Sequence, residues 1–152
     1  MKTVFISKLK PFLDAIADKM ELYIPKKTGE HYVYDRYNPS AKKPIEFNNI
    51  RTCTPVKEFL LPVCELAAVF PVPAGAENIK PFAVFGLKDC DLRSIKILDM
   101  VFTEEGFCDQ LYMKRRENMF IISTDCTESG PSCFCNLFAF AINPRCTYLY
   151  LL

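Results

Sequence analysis

Two short apolar runs, "IKPFAVFGL" and "NMFIIST", are separated by a segment with apolar residues at helical spacing, "DLRSIKILDMVF". That order constrains the fold more than any other feature of the chain. Continuous apolar runs of this length read as buried strands, and a stripe recurring every three to four residues reads as a helix. The stripe here is Leu92, Ile95, Leu98, Val101 and Phe102. Strand, helix, strand predicts a right-handed βαβ unit with a parallel strand pair. The first strand is expected to end at Gly86, and the second runs directly into "DCTESGPSCFC".

The N-terminal third supplies the rest of the sheet. "SKLKPFLDAIADKM" places Leu9, Phe12, Leu13, Ile16, Ala17 and Met20 on one helical stripe, with Ser7 as a candidate cap and Pro11 tolerated only in the first turn. "ELYIPKKTGEHYVYDRY" reads as a β-hairpin turning at Gly29, and Pro25 marks its first strand as an edge or short strand. Residues 38–57 read as irregular, "VPAGAEN" reads as a loop, and Pro62 interrupts "VKEFLLPVCELAAVF". The expected fold class is α/β: a mixed sheet with a βαβ unit, an N-terminal helix and a β-hairpin.

In a parallel βαβ unit both strands end at one edge of the sheet, where ligands of open α/β sheets collect. Cys90 follows the first strand and Cys126 follows the second, so the two thiols are expected near one another although residues 91–125 intervene. Cys126, Cys133 and Cys135 form C-x6-C-x-C. Cys90 would gain from the N–H groups and dipole of the helix that follows it. Four thiolates at one edge suit a 4Fe–4S cluster or a structural zinc, and the alternative is four neighbouring thiols without a metal. The spacing is neither that of paired zinc knuckles nor the ferredoxin C-x2-C-x2-C run.

Eight cysteines would suit a disulfide scaffold in a secreted chain, but the N-terminus has no signal-peptide pattern. A cytoplasmic chain is expected, in which metal or redox chemistry is favoured over disulfides. Cys64 reads as a small buried hydrophobe, Cys53 and Cys108 have no companion pattern, and Cys146 is a weak substitute ligand. A net charge of +1 gives no support for a nucleic-acid surface. No apolar run is long enough to span a membrane. The lone histidine, His31, reads as a hairpin surface residue rather than a general acid or base. Asp91 reads as a helix N-cap. "MKRREN" reads as a solvated turn, with an anion site as the functional alternative.

"RTCTPVKEFLLPVCE", "GLKDCDLRSIKILDMVF", "RREN" and "DCTESGPSCFCN" together resemble successive motifs of one family. It comprises iron–sulfur electron-transfer proteins similar to the electron-relaying component of anaerobic sulfite reductase and to the beta subunit of cytosolic sulfhydrogenases. The pairing of G-x-x-x-C-D-x6-L-D with D-C-x6-C-F-C carries the resemblance. It implies that Cys90, Cys126, Cys133 and Cys135 ligate a cluster, with Phe134 shielding it. It also implies two partners: a redox subunit that handles flavin or NAD(P)H, and a catalytic reductase or hydrogenase subunit. The expected division is an N-terminal domain of such an electron-transfer protein over residues 1–138 and an atypical apolar tail over 139–152. The tail reads as a truncation, because the family continues into a ferredoxin-like portion that this sequence lacks.

Overall fold

The computed structural model describes residues 9–41, 50–63, 79–104, 107–131, 133–138 and 150–151. Its elements run α1 (Leu9–Ala17), β1 (Glu21–Thr28), β2 (His31–Arg36), β3 (Phe82–Leu87), α2 (Asp89–Phe102), β4 (Thr103–Glu104), β5 (Phe107–Cys108), α3 (Gln110–Asn118), β6 (Met119–Ser123) and β7 (Tyr150–Leu151). Short 3-10 turns occupy Val56–Phe59 and Cys135–Phe138. The main sheet has the order β2-β1-β3-β6-β7, and β4 and β5 form a separate small ribbon.

The sheet is mixed, as expected. β3 pairs in parallel with β6 and with β1, whereas β2 and β7 run antiparallel to their neighbours. Every residue of β3 is buried, which is why that run carries no polar alternation. Alternate residues of the central strands face two different layers. Phe82, Val84, Met119 and Ile121 pack with Ile95 of α2, Tyr112 of α3, and Val56 and Leu60 around the first 3-10 turn. Ala83, Phe85, Leu22 and Ile122 pack on the other side with Leu13, against which the rest of the expected α1 stripe is gathered.

Gly86 shifts this alternation. It has φ +88°, and the β3–β6 register slips between Phe85 and Leu87. A glycine supplies the backbone that such a bulge requires. One extra residue moves Leu87 from the α1 side to the α2 side, where it joins Phe82 and Val84. The strand thus continues one residue past the expected end, and the bulge sets how the chain leaves the sheet toward Cys90.

Several expectations need correction. β1 is an interior strand, with β2 on one side and β3 on the other. Pro25 is accommodated because β3 pairs only with Glu21–Tyr23, so at Pro25 β1 has a neighbour on one side only. Val101 is 51% exposed and does not belong to the buried stripe. At about 100° per residue, the step from Leu92 carries Val101 roughly half a turn round the helix. Asp91 is not the N-cap: α2 begins at Asp89, and Asp91 accepts the Lys88 backbone N–H from the third helical position (3.3 Å). "MKRREN" is helix, not turn. Asp109 caps α3 by accepting from the backbone N–H groups of Leu111 and Tyr112, each at 2.9 Å. Arg116 lies against Asp99 rather than standing free for an anion. The hairpin turn stands as expected, with Gly29 at φ +62°. Ser7, Cys64, Cys146, all of "VPAGAEN" and most of the tail lie outside the described residues.

Candidate functional site: a thiol edge beside a buried lysine

The carboxyl ends of β3 and β6 meet where the sequence places them. The ladder extends past the strands through a bond from the Thr124 backbone N–H to the Leu87 carbonyl (2.9 Å). Cys90 stands at the second residue of α2, and Cys126 follows two residues beyond Thr124. Cys90, Cys126, Cys133 and Cys135 are all free thiols and all half-buried, whereas Cys53 and Cys108 are exposed. Half-burial leaves a thiol shielded from bulk water yet reachable.

The four thiols form one electrostatic neighbourhood. Burial, then the Asp91 carboxylate and the Cys126 thiol, push the Cys90 thiol up to about 12; Cys135 adds to this and Arg51 opposes it. Burial also raises Cys126, with Cys135, Cys133 and Asp91 adding to the rise and Lys88 opposing it. The Gly130 N–H donates to the Cys133 sulfur (3.2 Å), and the Cys133 N–H returns to the Gly130 carbonyl (3.0 Å). The loop between Cys126 and Cys135 is therefore folded back on a sulfur acceptor.

Two cations and one hydroxyl at this edge were not anticipated. Lys88 is 1% exposed, and its ammonium donates to Thr124 Oγ1 (3.0 Å) and to the Asp125 carbonyl (2.9 Å). Burial lowers its pKa, against the opposing effect of Cys126, Asp125, Asp91 and Cys90. Arg51 acts on both Cys90 and Asp91. The buried Tyr34 hydroxyl lies near Thr52 but has no partner in hydrogen-bonding geometry among the described residues. Burial raises its pKa, and the Asp91 and Cys90 charges raise it further. In the sequence the only trace of Lys88 is a charged residue between an apolar strand and a cysteine. Arg51 and Tyr34 reach the edge only through folding.

The donor chemistry fits iron or zinc. Among the described residues no three Cys, His, Asp or Glu side chains stand close enough together to hold a metal ion. Holding one would require the 126–135 loop to draw its sulfurs toward Cys90. Phe134, between Cys133 and Cys135, is 43% exposed. His31 is exposed on the hairpin.

Fold and site together define an α/β domain with four cysteines at the carboxyl edge of a mixed sheet. The chain is similar to sulfhydrogenase 2 subunit beta of Pyrococcus furiosus, at 27% identity over 128 residues, covering 82% of this chain and 36% of that protein. The similarity supports a distant relationship to that protein, of which the chain spans little more than a third. No protein-family model matches the chain, and no solved structure matches it. Among the described residues, no helix is long and apolar enough to cross a membrane.

Proposed function

We propose that the chain is part of an iron–sulfur electron-transfer subunit, in which Cys90, Cys126, Cys133 and Cys135 hold a 4Fe–4S cluster. The supporting observation is that four half-buried free thiols follow the ends of two strands that pair side by side in parallel. The similarity to a sulfhydrogenase subunit favours a redox role over a structural one. A bound cluster would supply one-electron storage. The chain's own groups would fix its surroundings: the α2 N-terminus and the Gly130 N–H stabilise charge on sulfur, and burial at the sheet edge limits water. The proposed partners are a redox subunit that handles flavin or NAD(P)H, and a catalytic reductase or hydrogenase subunit, in the cytoplasm.

Anaerobic reconstitution with iron and sulfide tests the reading. The expected product is brown, with about four iron and four sulfide per chain. Serine at any of the four cysteines should reduce the yield. A colourless product with one zinc per chain would instead establish a structural zinc site. A folded wild-type chain that takes up neither metal would refute both.

A further inference from the structure

The least expected group in the molecule is the side chain of Lys88. Lysine is rarely fully buried unless it is paired. This one lies in the short step between β3 and α2, and both of its acceptors lie in the segment that follows β6. Together with the Thr124–Leu87 backbone bond, three contacts join the two segments within a few residues of Cys90 and Cys126. None of the four thiols is needed to make them.

An ammonium has three N–H donors, and two are accounted for. Desolvating the charge is costly, and a pair of neutral acceptors offsets that cost only in part. A fold that merely needed its two loops joined could use an uncharged side chain. A buried cation is better explained where negative charge gathers: the Asp91 carboxylate accepts the Lys88 backbone N–H, and Cys90 and Cys126, which would be thiolates around a metal, stand at the same sheet edge. Four thiolates around a cluster or a zinc ion carry more negative charge than the metal core balances.

We propose that Lys88 is a positioning residue of the thiol site, bracing the Cys90 and Cys126 arms and serving as the fixed countercharge for whatever the thiolates hold. The countercharge half rests on the cluster reading; the bracing half does not. A fixed positive charge favours the reduced, more negative state of a bound cluster and so raises its potential.

The test uses Lys88→Met, which keeps length and apolar stem but removes the charge, and Lys88→Arg, which keeps the charge. In the metal-free chain, amide exchange at Thr124 should accelerate about tenfold or more in Lys88→Met and return toward wild type in Lys88→Arg. In the reconstituted protein, poised at the wild-type midpoint, Lys88→Met should shift the oxidised-to-reduced ratio roughly tenfold toward oxidised, about 59 mV for a one-electron couple. Lys88→Arg should stay near the wild-type ratio. Unchanged Thr124 exchange in a folded Lys88→Met chain would overturn the brace. Faster exchange with an unchanged ratio would reduce Lys88 to an ordinary structural contact and overturn the proposal. If wild type accepts no cluster, the cluster reading and the countercharge fall together, and Thr124 exchange alone decides the brace.

Discussion

Replacing Tyr112 by Phe removes one oxygen from the interior and leaves the ring in place. The Tyr112 ring is fully buried and stacks on Phe102, with centroids 5.0 Å apart, so its packing survives the change. What is lost is the bond from its hydroxyl to Asp99 Oδ1, at 2.6 Å. A hydrogen bond to a charged acceptor is worth about 1.5–3 kcal/mol. Arg116 still donates to both Asp99 oxygens, at 3.1 and 3.2 Å, and the Asp99 side chain is 30% exposed, so water can reach the vacated lone pair. Both facts argue for the lower end, about 1.5 kcal/mol. For a chain of this size that is a fall of roughly 4 °C in Tm. Urea unfolding of the metal-free chain should show a lower midpoint with an unchanged slope. Burial, and then the bond to Asp99, raise the Tyr112 pKa in the folded state. Its contribution is therefore whole below the unfolded value of about 10 and drains away as pH rises from there toward the folded value. The gap between wild type and Tyr112→Phe should narrow accordingly at alkaline pH. A gap under about 0.3 kcal/mol at neutral pH would refute the reasoning, because water would then serve Asp99 as well as the tyrosine does.

Asp14 gives the acid counterpart: the Tyr37 hydroxyl, at 2.6 Å, and then Lys10 hold its carboxyl below 3.8. The stability difference between wild type and Asp14→Asn should be constant above about pH 5 and shrink as pH falls through the lowered value, as followed by thermal melts. Gly29→Ala should cost about 1 kcal/mol in urea unfolding, because φ is +62° although a Cβ there meets nothing within 4 Å. Gly29→Asn should cost distinctly less, and equal costs would point to a cause other than backbone strain. Phe85→Ala should cost about 3–5 kcal/mol, since Phe85 is fully buried in the α1 layer. A loss below about 1 kcal/mol would mean that this layer collapses to fill the space.

The βαβ unit was legible because periodicity reports which residues meet the core, and β3, α2 and β6 all bury a continuous run or stripe. Val101 was misassigned because a list of apolar positions is not yet an angular stripe. Helix α3 carries little amphipathic signal; Tyr112 anchors it, and Asp109 was the cap that could have revealed it. Two cysteine-bearing segments were placed at one sheet edge by topology, since parallel strands must end together. The cations and the hydroxyl beside them were not legible. Lys88 is local to Cys90, but its burial depends on Thr124 and Asp125; Arg51 and Tyr34 belong to segments that no periodicity connects to the βαβ unit.

Parallel pairing of β3 with β6 also orders events in time. At 5–20 residues per second, Cys90 is synthesised roughly 2–7 s before Cys126. In that interval the first strand has no partner from β6, and Lys88 has neither of its acceptors. The edge cannot be assembled from the nascent N-terminal half. Any group that needs thiols from both strand ends must therefore be delivered after the crossover through α2 and α3 has closed, which makes loading of the site a report on completed folding.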